Sequence, residues 1–92
     1  MGRMGIQEDI NWLKDDPDRI AVFRSIAKLG LATVRALKDD LRMDDWWPVK
    51  YHVNNLLGRG LVSDRGGAYA LTETGKNVFE SVKTMAAELG QV

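Results

Sequence analysis

Between positions 50 and 65 the chain gathers side chains suited to polar recognition: Lys50, Tyr51, Asn54 and Asn55, then Arg59 and Arg65. Lys50 and Asn54 fall one helical turn apart. A lysine ammonium can donate to the O6 and N7 acceptors of a guanine edge. An asparagine amide donates and accepts at once, which matches the N6 and N7 of adenine. Arginine suits phosphate oxygens, contacts that position a partner without specifying its sequence. Arg35, upstream, is a further phosphate candidate. The same residues also compose an ordinary solvated helix surface and an ordinary charged loop, and the spacing alone leaves both readings open.

Composition removes other chemistries. The chain has no cysteine, which excludes a disulfide scaffold and a thiolate metal site, and its one histidine, His52, excludes a multi-histidine metal site. His52 sits at the edge of an apolar face, where a packed, hydrogen-bonded ring is expected. No nucleophile, base and orienting group can be assembled around it. There is no glycine-rich phosphate loop and no paired-carboxylate signature, so the expectation is a non-enzyme with no cofactor and no metal. No apolar run approaches a membrane span, and the N-terminus MGRMGIQEDI lacks the apolar centre of a signal peptide, so a cytoplasmic location is expected.

Formal net charge is zero over 92 residues. Its distribution is uneven: residues 1–45 sum to −1, residues 46–71 to +2, and residues 72–92 to −1. The only net-positive segment therefore holds Lys50, Arg59 and Arg65.

The elements that position these groups follow from periodicity and punctuation. Asp45 is placed to cap a helix over about 46–57, with Pro48 in its first turn, where a missing N–H removes no helical bond. Val49, Val53, Leu56 and Leu57 make its apolar face, and Trp47, Lys50, Tyr51, Asn54 and Asn55 point the other way. Gly58 and Gly60 end it. Leu61 to Ser63 and Ala68 to Leu71 read as two strands joined by the turn Asp64-Arg65-Gly66-Gly67. Trp46 and Trp47, being adjacent, cannot share one buried face; one is expected on the core and the other partly exposed, as at an interface.

Upstream, residues 5–14 form a weak helix carrying Ile6, Ile10, Trp12 and Leu13. Asp16 or Asp18 caps the next helix, Arg19 to Leu29, with Pro17 at its start. Ile20, Phe23 and Ala27 make one stripe on it and Val22, Ile26 and Leu29 a second, so it packs on more than one side. Gly30 stops it. Leu31-Ala32 is an extended link able to supply one rung of a third strand. Thr33 caps Val34 to Leu41, and Arg42-Met43-Asp44 connects tightly onward. Downstream, Thr72 or Thr74 caps a last helix to about Leu89, striped by Val78, Val82, Met85, Ala86 and Leu89 and widened by Phe79. The order is helix, helix, tight turn, helix, hairpin, helix.

Three pieces of this pattern resemble the winged helix-turn-helix superfamily, in the MarR, ArsR and PadR style of prokaryotic and archaeal regulators, across residues 17–83. One is Val53-Asn54-Asn55-Leu56-Leu57-Gly58-Arg59-Gly60-Leu61-Val62, similar to the join between recognition helix and first wing strand. The second is the glycine wing tip Arg65-Gly66-Gly67. The third is Tyr69-Ala70-Leu71-Thr72-Glu73-Thr74-Gly75-Lys76, similar to the segment that closes the wing and opens the next helix. The resemblance implies an α+β, mostly α fold: a three-helix core with a β-hairpin wing over 17–72, a helical extension over 1–16 and a C-terminal helix over 73–92. It implies double-stranded DNA as partner, with helix 46–57 in the major groove and the wing (61–71) on the backbone. Lys50, Tyr51, Asn54, Asn55, Arg59, Arg65 and Arg35 are then the contact residues of a transcriptional regulator.

Two further expectations complete the reading. The stripe Val78, Val82, Met85, Leu89 and the N-terminal Ile6 and Ile10 look surplus to a small core and suggest a homodimer, whose two-fold axis would meet two half-sites one helical turn apart. The alternative is that the two ends pack on each other within one monomer. The second function class is a winged-helix protein-interaction module in a larger complex. Zero net charge, the acidic turn of Asp39, Asp40, Asp44 and Asp45, and the Trp46/Trp47 pair favour it.

Overall fold

The structure, a computed structural model, describes residues 5–90, with side chains described as far as Thr84. Its elements are α1 (Ile6–Lys14), α2 (Pro17–Leu29), β1 (Ala32–Thr33), α3 (Val34–Leu41), α4 (Trp47–Gly58), β2 (Val62–Asp64), β3 (Ala68–Leu71) and α5 (Glu73–Gly90). This is a winged helix: α2, α3 and α4 form the helical core, β2 and β3 the wing, and α1 and α5 the additions at either end.

Local chemistry accounts for most boundaries. Asp16 caps α2, its Oδ1 accepting the amides of Asp18 at 3.0 Å and Arg19 at 3.4 Å, with Pro17 in the first turn. Thr33 caps α3 by accepting the Ala36 amide at 3.1 Å. Thr72 Oγ1 accepts the Gly75 amide at 3.0 Å and donates to the Gly60 carbonyl at 2.7 Å, so one hydroxyl joins the start of α5 to the loop after α4. Gly75 is required by proximity. A Cβ there would lie 2.0 Å from the Leu61 carbonyl oxygen, which is backbone and cannot rotate away.

The sheet is antiparallel in the order β1-β3-β2, with Ala32 opposite Tyr69 and Val62 opposite Leu71. The extended link after Gly30 thus does supply the third strand's rung. Leu61 is not a ladder residue: its amide donates to the Leu56 carbonyl at 3.1 Å and its carbonyl accepts from Thr72 at 3.1 Å, which moves the wing strand one residue along to Val62–Asp64.

One core runs through the described residues, built on Leu13, Val22, Phe23, Ile26, Leu37, Val49, Val53, Leu56, Leu61 and Val78. Phe23 and Phe79 meet edge-on at 6.2 Å between ring centres. This core absorbs surfaces that the sequence suggested were surplus. Ile10, Val78 and Val82 are buried within the chain, because α1 packs on both α2 and α5 and covers them. They are therefore not a dimer surface. Ile6 stays 40% exposed, and the side chains of Met85, Ala86 and Leu89 lie outside those described. No described helix is long and apolar enough to cross a membrane.

Two further expectations are corrected. Asp45 does not cap α4: the cap position is Trp46, without a side-chain bond. Pro48 has no N–H to be satisfied, and the first helical bond runs from the Lys50 amide to the Trp46 carbonyl at 3.0 Å. Nor does either tryptophan of the pair pack on the core, since both remain exposed.

Candidate nucleic-acid interface

Helix α4 buries Val49, His52, Val53 and Leu56 and turns its opposite side outward. Trp47, Tyr51 and Asn54 recur there at i, i+4 and i+7, one continuous stripe. Trp46 (61% exposed), Trp47 (60%) and Tyr51 (56%) make its aromatic end, and Asn54 its exposed amide. Asn55 and Lys50 are half-buried on the flanks.

Lys50 is held by the wing. Its Nζ donates to the Tyr69 hydroxyl at 2.8 Å and lies 5.4 Å from the centre of that ring. The hydrogen bond to Tyr69 favours the charged ammonium and moves the lysine pKa upward, with the nearby Asp64 a lesser contributor. Tyr69 is buried on β3, so this contact fixes α4 against the wing sheet.

The wing tip is set by backbone geometry. Gly66 and Gly67 take φ of 71° and 97°, the left-handed region that side chains resist, and Asp64 Oδ1 accepts the Gly67 amide at 2.9 Å. The Arg65 amide donates to the Ala68 carbonyl at 2.6 Å. The Arg65 side chain is left exposed at the tip, and Arg35 is exposed in the first turn of α3.

Of the four acids in the acidic turn, Asp40 is neutralised internally. Its carboxylate accepts from Lys28 Nζ and Ser25 Oγ, both at 2.6 Å, and these bonds hold its pKa below the ordinary 3.8, the Lys28 bond contributing most. Asp39, Asp44 and Asp45 remain exposed.

Arg59 follows α4 directly, as its C-cap, and makes contacts that the sequence did not announce. Its Nε donates to Asp9 Oδ1 of α1 at 2.9 Å, and the two side chains keep only 20% and 9% of their surface exposed. Its guanidinium stacks on Trp12 at 4.6 Å; that of Arg19 stacks on the same ring at 4.1 Å and donates to the Trp12 carbonyl. Arg59 thus joins α1 to the end of α4, whereas Lys50 and Arg65 belong to the wing side. Asp9 gave no signal in the sequence, because its partner is 50 residues away.

His52 is packed as expected, with Tyr51 edge-on at 5.3 Å, but it is not hydrogen-bonded as expected: its Nδ1 is buried without a partner among the described residues.

No family model and no curated protein matches this sequence. Solved structures do match. The chain is similar to the activation domain of the phage T4 transcription factor MotA, at TM-score 0.74 and 16% identity, over 95% of both chains. It is similar also to TubR bound to 24 bp of tubC from Bacillus thuringiensis serovar israelensis pBtoxis, at TM-score 0.74 and 18% identity, covering 92% of this chain and 99% of that one. The likeness is one of fold, and it spans α1 and α5 as well as the core.

Proposed function

We propose that this chain is a DNA-binding regulatory protein, of the general kind its resemblance to MarR-, ArsR- and PadR-style regulators implies. Helix α4 enters the major groove and the wing lies on the backbone. The observation that carries this reading is the outward stripe of α4, coupled through Lys50 and Tyr69 to a wing with Arg65 at its tip. That TubR adopts the same fold and is bound to DNA supports it. Asn54 and Tyr51 read base edges. Asn55 flanks them, Lys50, Arg65 and Arg35 hold phosphates, and Arg59 keeps α1 in place. A cytoplasmic setting and a two-fold dimer fit such a role; of the proposed dimer residues with described side chains, only Ile6 remains exposed.

The test is titration of the chain with mixed-sequence duplex DNA at low salt, followed by NMR. Binding that perturbs Lys50, Tyr51, Asn54 and Arg65 and weakens as salt rises supports the proposal. No binding at low salt rejects it. The second reading would then take over, a protein-interaction module docking through Trp46 and Trp47. It is favoured by the exposure of that pair beside Asp44 and Asp45, and by a fold neighbour that is an activation domain.

A further inference from the structure

The first turn of α2 and the buried side of α4 meet at three groups that sequence reasoning left apart. One carboxylate oxygen of Asp16, one of Asp18 and one ring nitrogen of His52 all lie within 4.8 Å of one another. Thirty-odd residues separate the aspartates from the histidine, so no spacing motif announces them. His52 is 6% exposed, and its Nδ1 has no hydrogen-bond partner among the described residues. A buried imidazole nitrogen without a partner is unfavourable, and a water or an ion is the usual remedy.

We propose that Asp16, Asp18 and His52 form a binding site for a divalent first-row transition-metal ion. The donor set is mixed, with an imidazole that suits Zn²⁺, Fe²⁺ or Ni²⁺ and two carboxylates that extend the range to Mn²⁺. Donors around a tetrahedral zinc lie roughly 3.4 Å apart, from bond lengths near 2.1 Å, so the site closes slightly on binding. Asp18 is exposed, so its side chain is not pinned by packing. Asp16 need not surrender its cap, because both cap bonds go to Oδ1 and its second oxygen remains for the ion. Water completes the coordination on the Asp18 side. The two carboxylates balance the ion's charge against the positive end of the α2 dipole. A bound ion ties the start of α2 to the middle of α4, directly beside Tyr51 and two residues before Asn54. It therefore fixes the helix whose outer face is the candidate interface, and does so whether that face meets DNA or protein.

The experiment uses the untagged full chain, stripped with chelator and titrated by calorimetry with ZnCl₂ and separately with MnCl₂. Because His52 is the only histidine, its imidazole resonances report the site without ambiguity. The expected result is one ion per chain, a shift of the His52 ring signals with Zn²⁺, and Mn²⁺ broadening centred on residues 16, 18 and 52. Asp16→Asn keeps a good N-cap and Asp18→Asn alters an exposed side chain, so both variants fold. Each should weaken Zn²⁺ binding by about tenfold or more. No heat and no movement of the His52 signals up to about 1 mM of either ion overturns the proposal and leaves a buried water as the partner of Nδ1. Binding of undiminished strength in the Asp16→Asn/Asp18→Asn double variant overturns it too, by placing the ion elsewhere.

Discussion

Replacing Arg59 by alanine separates a fastening role from a DNA-contact role at one residue. The change strands the Asp9 carboxylate, whose side chain is nine-tenths buried, and removes a guanidinium stacked on Trp12 at 4.6 Å. Breaking a fully buried ion pair from one side costs about 3–5 kcal/mol. Arg59 retains a fifth of its side-chain exposure, so solvent offsets part of that, and about 2–3 kcal/mol is expected for the pair. The lost stacking adds roughly 0.5–1 kcal/mol. A total near 3 kcal/mol is a large share of the roughly 5–14 kcal/mol available to a domain of this length. Asp9→Asn, which leaves an amide oxygen to accept from Arg59, should cost about 1–2 kcal/mol. Urea unfolding of wild type, both single variants and the double variant gives the coupling directly. The DNA titration, corrected for the folded fraction, should then show affinity and salt dependence within twofold of wild type. Loss of less than about 0.5 kcal/mol would refute the fastening role. A salt slope reduced by about 0.9 in a folded variant would restore Arg59 to the phosphate contacts.

Gly75→Ala should destabilise by roughly 3 kcal/mol in thermal or urea unfolding, because relieving a 2.0 Å approach to the Leu61 carbonyl requires backbone to move. Gly58→Ala, at the end of α4 with nothing within 4 Å of the new Cβ, should be neutral or stabilise by up to about 1 kcal/mol. Asp40 has its folded pKa held below 3.8, so its bonds to Lys28 and Ser25 contribute stability above that value and lose it as pH falls through the lower folded pKa. The stability gap between wild type and Asp40→Asn should accordingly be constant near neutrality and close in acid, as measured by urea unfolding across pH. Asn54→Ala should weaken a selected DNA site by about 1–3 kcal/mol while leaving mixed-sequence binding unchanged, as read in a competition assay.

How much of this was legible in the sequence depends on the range of the interaction. Signals within a few residues translated directly: Asp16 with Pro17, Thr33 before Val34, and Asp64 before two glycines each fix a local backbone that no distant contact overrides. Asp45 failed because the helical ladder opens at the Trp46 carbonyl, which accepts the Lys50 amide, and Pro48, three residues after Asp45, has no N–H for its carboxylate to take. The surplus stripes failed for a different reason. Ile10, Val78 and Val82 are apolar whether they face a second chain or a neighbouring helix, and only the packing of α1 on α5 decides between them. The candidate site divides in the same way. The stripe of Trp47, Tyr51 and Asn54 is a property of one helix and could be read. The withdrawal of Arg59 onto Asp9, and the meeting of His52 with Asp16 and Asp18, depend on how separate helices dock.

That division carries over to the proposed partner and to a number. With Arg59 held by Asp9, the phosphate-facing cations of one copy are Arg35, Lys50 and Arg65, against exposed acids at Asp39, Asp44, Asp45 and Asp64. Three phosphate contacts give a slope of log K against log salt of about −2.7, so raising salt from about 50 to about 200 mM weakens binding roughly 40-fold. Two copies acting together on two half-sites double the slope to about −5.4, and the same change in salt then weakens binding about 1,800-fold. The gap between these values exceeds the error of an ordinary fluorescence titration. A slope near −2.7 that Arg65→Ala reduces by about 0.9 assigns the wing arginine to a phosphate and makes one chain the binding unit. A slope near −5.4 that the same substitution reduces by about 1.8 makes the unit a pair. A slope near zero would contradict both, because the aromatic end of α4 would then be the contact that matters, and Trp46 and Trp47 bind without releasing counterions.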